Sequence, residues 1–275
     1  TWGNHTHCHH LSELTIKRMT RLFTDLLTKN TKFASAPPNA QSKWNSLLQR
    51  HLPFPDIPWD EIWKSLGNFL LSPKDENTWW KYLHRALHVR SRDATLPDHS
   101  CRLCGAPKES MLHLLTCPKI KKVQDELKPL LEALGVAATH PHASWLLCLD
   151  SNGKILHAPA QAVIRLFWRH TYRHMARVET EKAQFLTSFV TRDVVRAFMA
   201  KIIALQKSRR DFHLKRLMAQ NPNRPLDLVY HLPQSLSDTY APFGELCKET
   251  GSIELHTKLI DVFKSHNVWN DFNGN

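Results

Sequence analysis

Four soft metal ligands fall within seventeen residues of this chain: Cys101, Cys104, His113 and Cys117, in the stretch CRLCGAPKESMLHLLTCP. Two cysteines separated by two residues can meet one tetrahedral ion from a tight turn, and Gly105 supplies backbone freedom for it. His113 and Cys117 are four apart, so a short helix starting near Glu109 or Ser110 would present both on one face. The alternative is two buried free cysteines with an incidental histidine. Four ligands in this order favour a structural Cys3His zinc site, closed by protein donors with no position left for a reacting water. Glu109, four residues before His113, stands where a zinc hydrolase could place a general base. The expected role is instead in the first helical turn, where an acidic side chain suits the positive end of the dipole.

Around this cluster the chain reads as mainly α, a multi-helix domain with the Cys3His module embedded in it. The 275 residues contain only eight glycines, and apolar positions recur at helical period over long stretches. Trp59, Ile62, Trp63 and Leu66 make one stripe of a helix opened by Pro58. A second helix is expected over 76–89, with Trp79, Leu83 and Leu87 inward and Lys81, Arg85, His88 and Arg92 on another face. A third carries Val123, Leu127, Leu130, Leu131 and Leu134, has Pro129 as an expected kink, and ends at Gly135. Residues 136–158 read as loop, with a turn at Asp150 to Gly153. Thr191 is read as the cap of a further helix, and a last short helix is expected over 253–263.

At the N-terminus, residues 1–10 hold four histidines and Cys8, either a second metal site or a frayed end. An amphipathic helix is expected over 11–28, and Pro37 and Pro38 suggest a linker. The expected organisation is an N-terminal helix and linker (1–42), tryptophan-rich helices with the metal module (43–135), a basic helical region (136–220) and an irregular C-terminal segment (221–275).

The formal charge is +12. Nine charges of that surplus lie between Gln161 and Gln220, with thirteen Lys or Arg against four Asp or Glu. There Arg165, Arg169, Arg173 and Arg177 repeat every four residues, next to Trp168 and Tyr172, with no acidic residue from Ala158 to Val178. Such a row is either a solvated helix face or a track for phosphates and exposed bases. The scattered Cys8, Cys148 and Cys247 form no disulfide framework, which is reducing-compartment usage. No apolar run is long enough to span a membrane, so a soluble protein is expected.

The pattern Cys-x-x-Cys-Gly, then Glu-Ser-x-x-His-Leu-Leu-x-Cys-Pro, resembles the zinc-binding region after the reverse transcriptase in non-LTR (LINE-like) retroelement polyproteins. The preceding IWKSLGNFLLSPKDENTWWKYLHRALHVRSR is similar to the tryptophan-bearing helices of that family. The resemblance covers residues 57–175, under half the chain, and only the four ligand positions carry over residue by residue. The eight-residue gap between Cys104 and His113 departs from the shorter retroviral knuckle, so that knuckle's way of binding RNA does not transfer. The resemblance implies Zn2+ as cofactor, RNA or DNA and an upstream reverse transcriptase domain as partners, and an intracellular, nuclear location. A first residue other than methionine fits a piece of such a polyprotein.

No Tyr-x-Asp-Asp, Phe-x-Asp-Asp or Gly-rich phosphate loop is present, so polymerase chemistry is not expected. The expected function is non-catalytic nucleic-acid binding, through Lys81, Arg85, Arg92, Arg165, Arg169, Arg173 and Arg177. Two alternatives stand beside it. One is a protein-interaction module docking on a polymerase domain. The other is a degenerate restriction-like nuclease, for which Pro225 and Asp227 supply a Pro-x-Asp while Glu245 and Lys248 miss the Glu-x-Lys that should follow.

Overall fold

A computed structural model describes residues 36–220, 241–246 and 253–269, except Phe69, Ala138 and Pro141. The expected helix over 11–28, the histidine-rich residues 1–10, and Pro225, Asp227 and Lys248 lie outside the described residues. By internal contacts the chain divides into Thr1–Leu47 and Leu48–Asn275.

The protein is mainly helical. In the first unit α1 (Ala36–Leu48) begins where a linker was expected, with Pro37 and Pro38 in its first turn. Prolines there remove only N–H groups that have no helical partner, so two of them start a helix as readily as they break one.

The second unit contains α2 (Trp59–Lys64), α3 (Pro73–Leu83), α4 (Met111–Thr116), α5 (Pro118–Ala133), α6 (Ala143–Leu147), α7 (Ala158–Thr180), α8 (Thr187–Gln220) and α9 (Thr257–Ser265). A two-stranded antiparallel ribbon joins β1 (Gly244–Leu246) to β2 (Ile253–Leu255), with Glu245 opposite Glu254. The helix expected over 253–263 therefore begins only at Thr257, after the strand.

The core is built on α7, which packs against α3 on one side and α8 on another. Its aromatic centre runs from Trp79 to Tyr82 (ring centroids 4.9 Å apart) and on to Trp168 (4.9 Å). Phe167 then bridges Trp168 and Trp145, at 5.0 Å from each. α3 and α7 share this stack within the unit Leu48–Asn275. Within the expected loop over 136–158, all five residues of α6 are buried. The turn beyond it is as expected, with Asp150 Oδ1 accepting from the N–H groups of Asn152 (2.8 Å) and Lys154 (2.9 Å). Pro129 sits inside α5 without ending it, and Gly135, at φ +84°, closes that helix with Val136 N–H donating to Leu131 C=O. Thr191 is not a cap; it lies one turn inside α8, with its hydroxyl 2.5 Å from Glu126 Oε2.

His170 of α7 is buried 3.9 Å from Asp193 of α8. Burial holds its pKa down to about 4, against the upward pull of Asp193. An unfolded imidazole takes its proton near 6.5, so between that pH and about 4 the unfolded chain binds a proton that the fold refuses. Stability should therefore fall on acidification, by up to on the order of 3 kcal/mol from this side chain. His140, His142, His157 and His266, also depressed by burial, act in the same direction. Urea midpoints at pH 7.5 and 5.5 check this: His170→Gln should show a clearly smaller pH-dependent fall than the wild type. An equal fall would contradict it.

Candidate metal centre

The ligand set assembles as its spacing suggests. Cys101 and Cys104 flank a tight turn in which Gly105 N–H donates to Cys101 C=O (2.8 Å) and Cys101 N–H donates to Ala106 C=O (2.7 Å). Gly105 closes the turn at φ +75°, a conformation that side-chain-bearing residues resist. Ser110 caps α4, its hydroxyl accepting from His113 N–H at 3.0 Å. Cys117 ends α4 and opens α5, and Pro118 occupies the first position of the new helix, where its missing N–H costs nothing. The fourth ligand is thus held at a helix–helix joint.

The three thiol sulfurs and one imidazole nitrogen lie within 4.8 Å of one another, and Cys104 Sγ is 3.3 Å from His113 Nε2. A tetrahedral ion with bonds of about 2.0–2.3 Å puts its donor atoms roughly 3.5–4 Å apart, so the four can hold a metal ion. Hydrogen bonding from Cys117 pulls the Cys101 thiol down to about 5, and the same contact together with burial pushes Cys117 up.

Glu109 is neither a base at this centre nor a helix-terminus residue. It is fully buried, and Arg102 reaches Oε1 (2.6 Å) through Nη2 and Oε2 (2.9 Å) through Nε. The backbone N–H groups of Arg90 and Arg102 donate to the same carboxylate, each at 3.1 Å. Burial alone would raise its pKa; these bonds outweigh that and hold it below the usual range. Arg90 and Arg102 also both pair with Glu179 near the end of α7, and Tyr172 donates to Met111 Sδ. The metal loop is therefore clamped to α7 by half-buried charge.

The expected arginine row does not survive as a surface. Arg165 has no exposed side-chain area, and its Nη1 lies 2.8 Å and 3.0 Å from the Glu76 carboxylate oxygens. Its Nη2 donates to Ser65 Oγ (2.8 Å) and Gln161 Oε1 (2.6 Å), and its guanidinium lies over Trp79. Arg169 pairs with buried Asp75, which Lys201 also reaches at 3.0 Å. The neutralising acids come from α3, some ninety residues earlier, so a search for acids along α7 could not find them. Arg177 pairs with Glu181 at 3.1 Å, and Arg173 alone of the four is exposed without an ion pair among the described residues.

The second row changes too, because α3 ends at Leu83 rather than continuing to 89. Arg85 takes φ +54° while Ala86 N–H donates to Lys81 C=O (2.7 Å), a left-handed helix stop made without glycine. Lys81 stays on the helix, Arg85 lies past its end, and Arg92 sits in a separate 3-10 turn with its guanidinium donating to Arg85 C=O. They do not share one helix face.

Sequence reasoning missed a group of exposed cations close in the chain to the metal ligands. Lys108, Lys119, Lys121 and Lys122 are exposed and have no ion pair among the described residues. Their signal was available: three lysines in the first five residues of α5, against no acidic residue in its first turn. Compared with known protein families, curated proteins and solved structures, the chain matches none. No helix among the described residues is long and apolar enough to cross a membrane.

Proposed function

We propose that this chain is a zinc-stabilised, non-catalytic nucleic-acid-binding region of a LINE-like retroelement protein, acting beside a reverse transcriptase domain in the nucleus. Zinc is the metal that suits three thiolates and an imidazole in a closed tetrahedral set. The observation that carries nucleic-acid binding is the placing of Lys119, Lys121 and Lys122. Cations at a helix N-terminus oppose the macrodipole, and each is disfavoured by a few tenths of a kcal/mol or more in the free protein. A phosphate backbone laid there answers the lysines. Lys108 and exposed Arg173 add to the same charge without neutralising partners.

The test is fluorescence anisotropy of labelled single-stranded and duplex oligonucleotides over a salt series. Wild-type affinity should fall steeply with salt. The K119Q/K121Q/K122Q variant should bind all sequences more weakly, with a salt slope flatter by about two to three units. An unchanged slope in the folded, metal-loaded variant would remove this surface. Tight binding to a polymerase domain with no affinity for either nucleic acid would support the interaction-module reading instead.

A further inference from the structure

Among the described residues Trp80 is the most exposed large apolar side chain, 47% exposed on a helix whose neighbouring Trp79 is buried. It forms one wall of an open cleft of about 520 Å³, completed by Leu66, Gly67, Leu71, Pro73 and Asn77. That volume lies within the range of about 300–1,000 Å³ typical of small-ligand sites. Trp80 is also held in place, stacked on His84 with ring centroids 4.0 Å apart. Phe189, of similar exposure, already has the Arg192 guanidinium over its ring, whereas the indole of Trp80 faces unfilled space in the cleft.

The polar groups of the cleft divide into used and free. Glu76 is spent on Arg165 and on Asn68 N–H, and the Asn68 amide on Leu70 N–H and Ala158 C=O. Asn77, one helical turn before Trp80 on the same face, is exposed, and its amide makes no hydrogen bond among the described residues. One step further round α3 stand Lys74 and Lys81, both exposed and without ion pairs among the described residues. The cleft therefore offers an aromatic plane and a free donor–acceptor amide, with its single carboxylate neutralised and two exposed lysines on the adjoining face of α3.

We propose that this cleft takes one unpaired base of a single-stranded RNA or DNA, stacked on Trp80, with Asn77 hydrogen-bonding its edge and Lys74 and Lys81 meeting the flanking phosphates. The proposal rests on the nucleic-acid reading above and names the form of nucleic acid engaged there. A base inside a duplex cannot reach the indole, so the contribution is specific to unpaired strands.

The experiment compares wild type, Trp80→Ala and Asn77→Ala on 12-nucleotide oligo(U) and oligo(dT) and on a duplex of equal length. A parallel cross-link uses oligo(U) carrying one 5-iodouridine. Trp80→Ala should weaken single-strand binding about tenfold, with Asn77→Ala smaller, and duplex affinity should stay unchanged. The cross-link should map to the peptide containing Trp80. Oligo(U) and oligo(dT) affected alike assign the site to bases in general; an effect on one alone assigns it to RNA or to DNA. Single-strand affinity unchanged in Trp80→Ala, as expected if the cleft receives an apolar side chain of a protein partner, overturns this proposal and leaves the lysine surface standing. Absence of all nucleic-acid binding by the wild type overturns both.

Discussion

Cys117→Ser is expected to leave the chain without its metal and to raise amide hydrogen exchange across residues 95–125, while the amides of α7 stay protected. Cys117 is fully buried and ends one helix while opening the next, so its sulfur fixes α4 and α5 as well as the ion. Serine offers a hard, protonated oxygen in place of a thiolate, and metal binding at such sites is folding energy on the order of 10 kcal/mol. The loop cannot replace that from its own core. It has the tight turn from Cys101 to Gly105, the six-residue α4 and the Glu109 clamp, and that clamp is itself buried charge. The aromatic stack of α3 and α7 is independent of the metal, which confines the damage. Stoichiometric metal and wild-type exchange in Cys117→Ser would refute the ligand assignment.

The second large effect is expected at Glu76→Ala. Removing this carboxylate strands the Arg165 guanidinium at a site with no solvent exposure, and breaking one side of a buried pair costs about 3–5 kcal/mol. The double variant R165M/E76L should recover most of the loss, because apolar groups of similar volume often replace a buried pair without penalty. Urea denaturation of the three proteins measures it. A loss below about 0.5 kcal/mol in Glu76→Ala would show Arg165 to be solvated after all. The same reasoning reverses the expectation for Arg165→Gln, which a solvated helix face would tolerate.

These two sites also mark what could be read from residues alone. The metal ligands were legible because their information is local: a Cys-x-x-Cys turn and a His-x-x-x-Cys helix carry their geometry within seventeen residues. Helix periodicity was legible for the same reason, and it located α2, α5 and α7. What failed was tertiary. Arg165 and Arg169 have the spacing of a surface row, yet Glu76 and Asp75 lie on another helix and turn half the row inward. The stop of α3 was missed because Arg85 does there what glycine usually signals. Glu109 gave no local sign that Arg102 would be folded back onto it. At Pro37 and Pro38 the residue type was read correctly and the position was not, since the first turn of a helix accepts both.

Native mass spectrometry of the untagged full chain, purified without chelator, tests the central claim most directly. The account predicts one zinc per chain, retained against a mild chelator and absent from Cys104→Ser and Cys117→Ser. A folded wild-type chain that carries no metal, or that keeps a full equivalent in both variants, would contradict it.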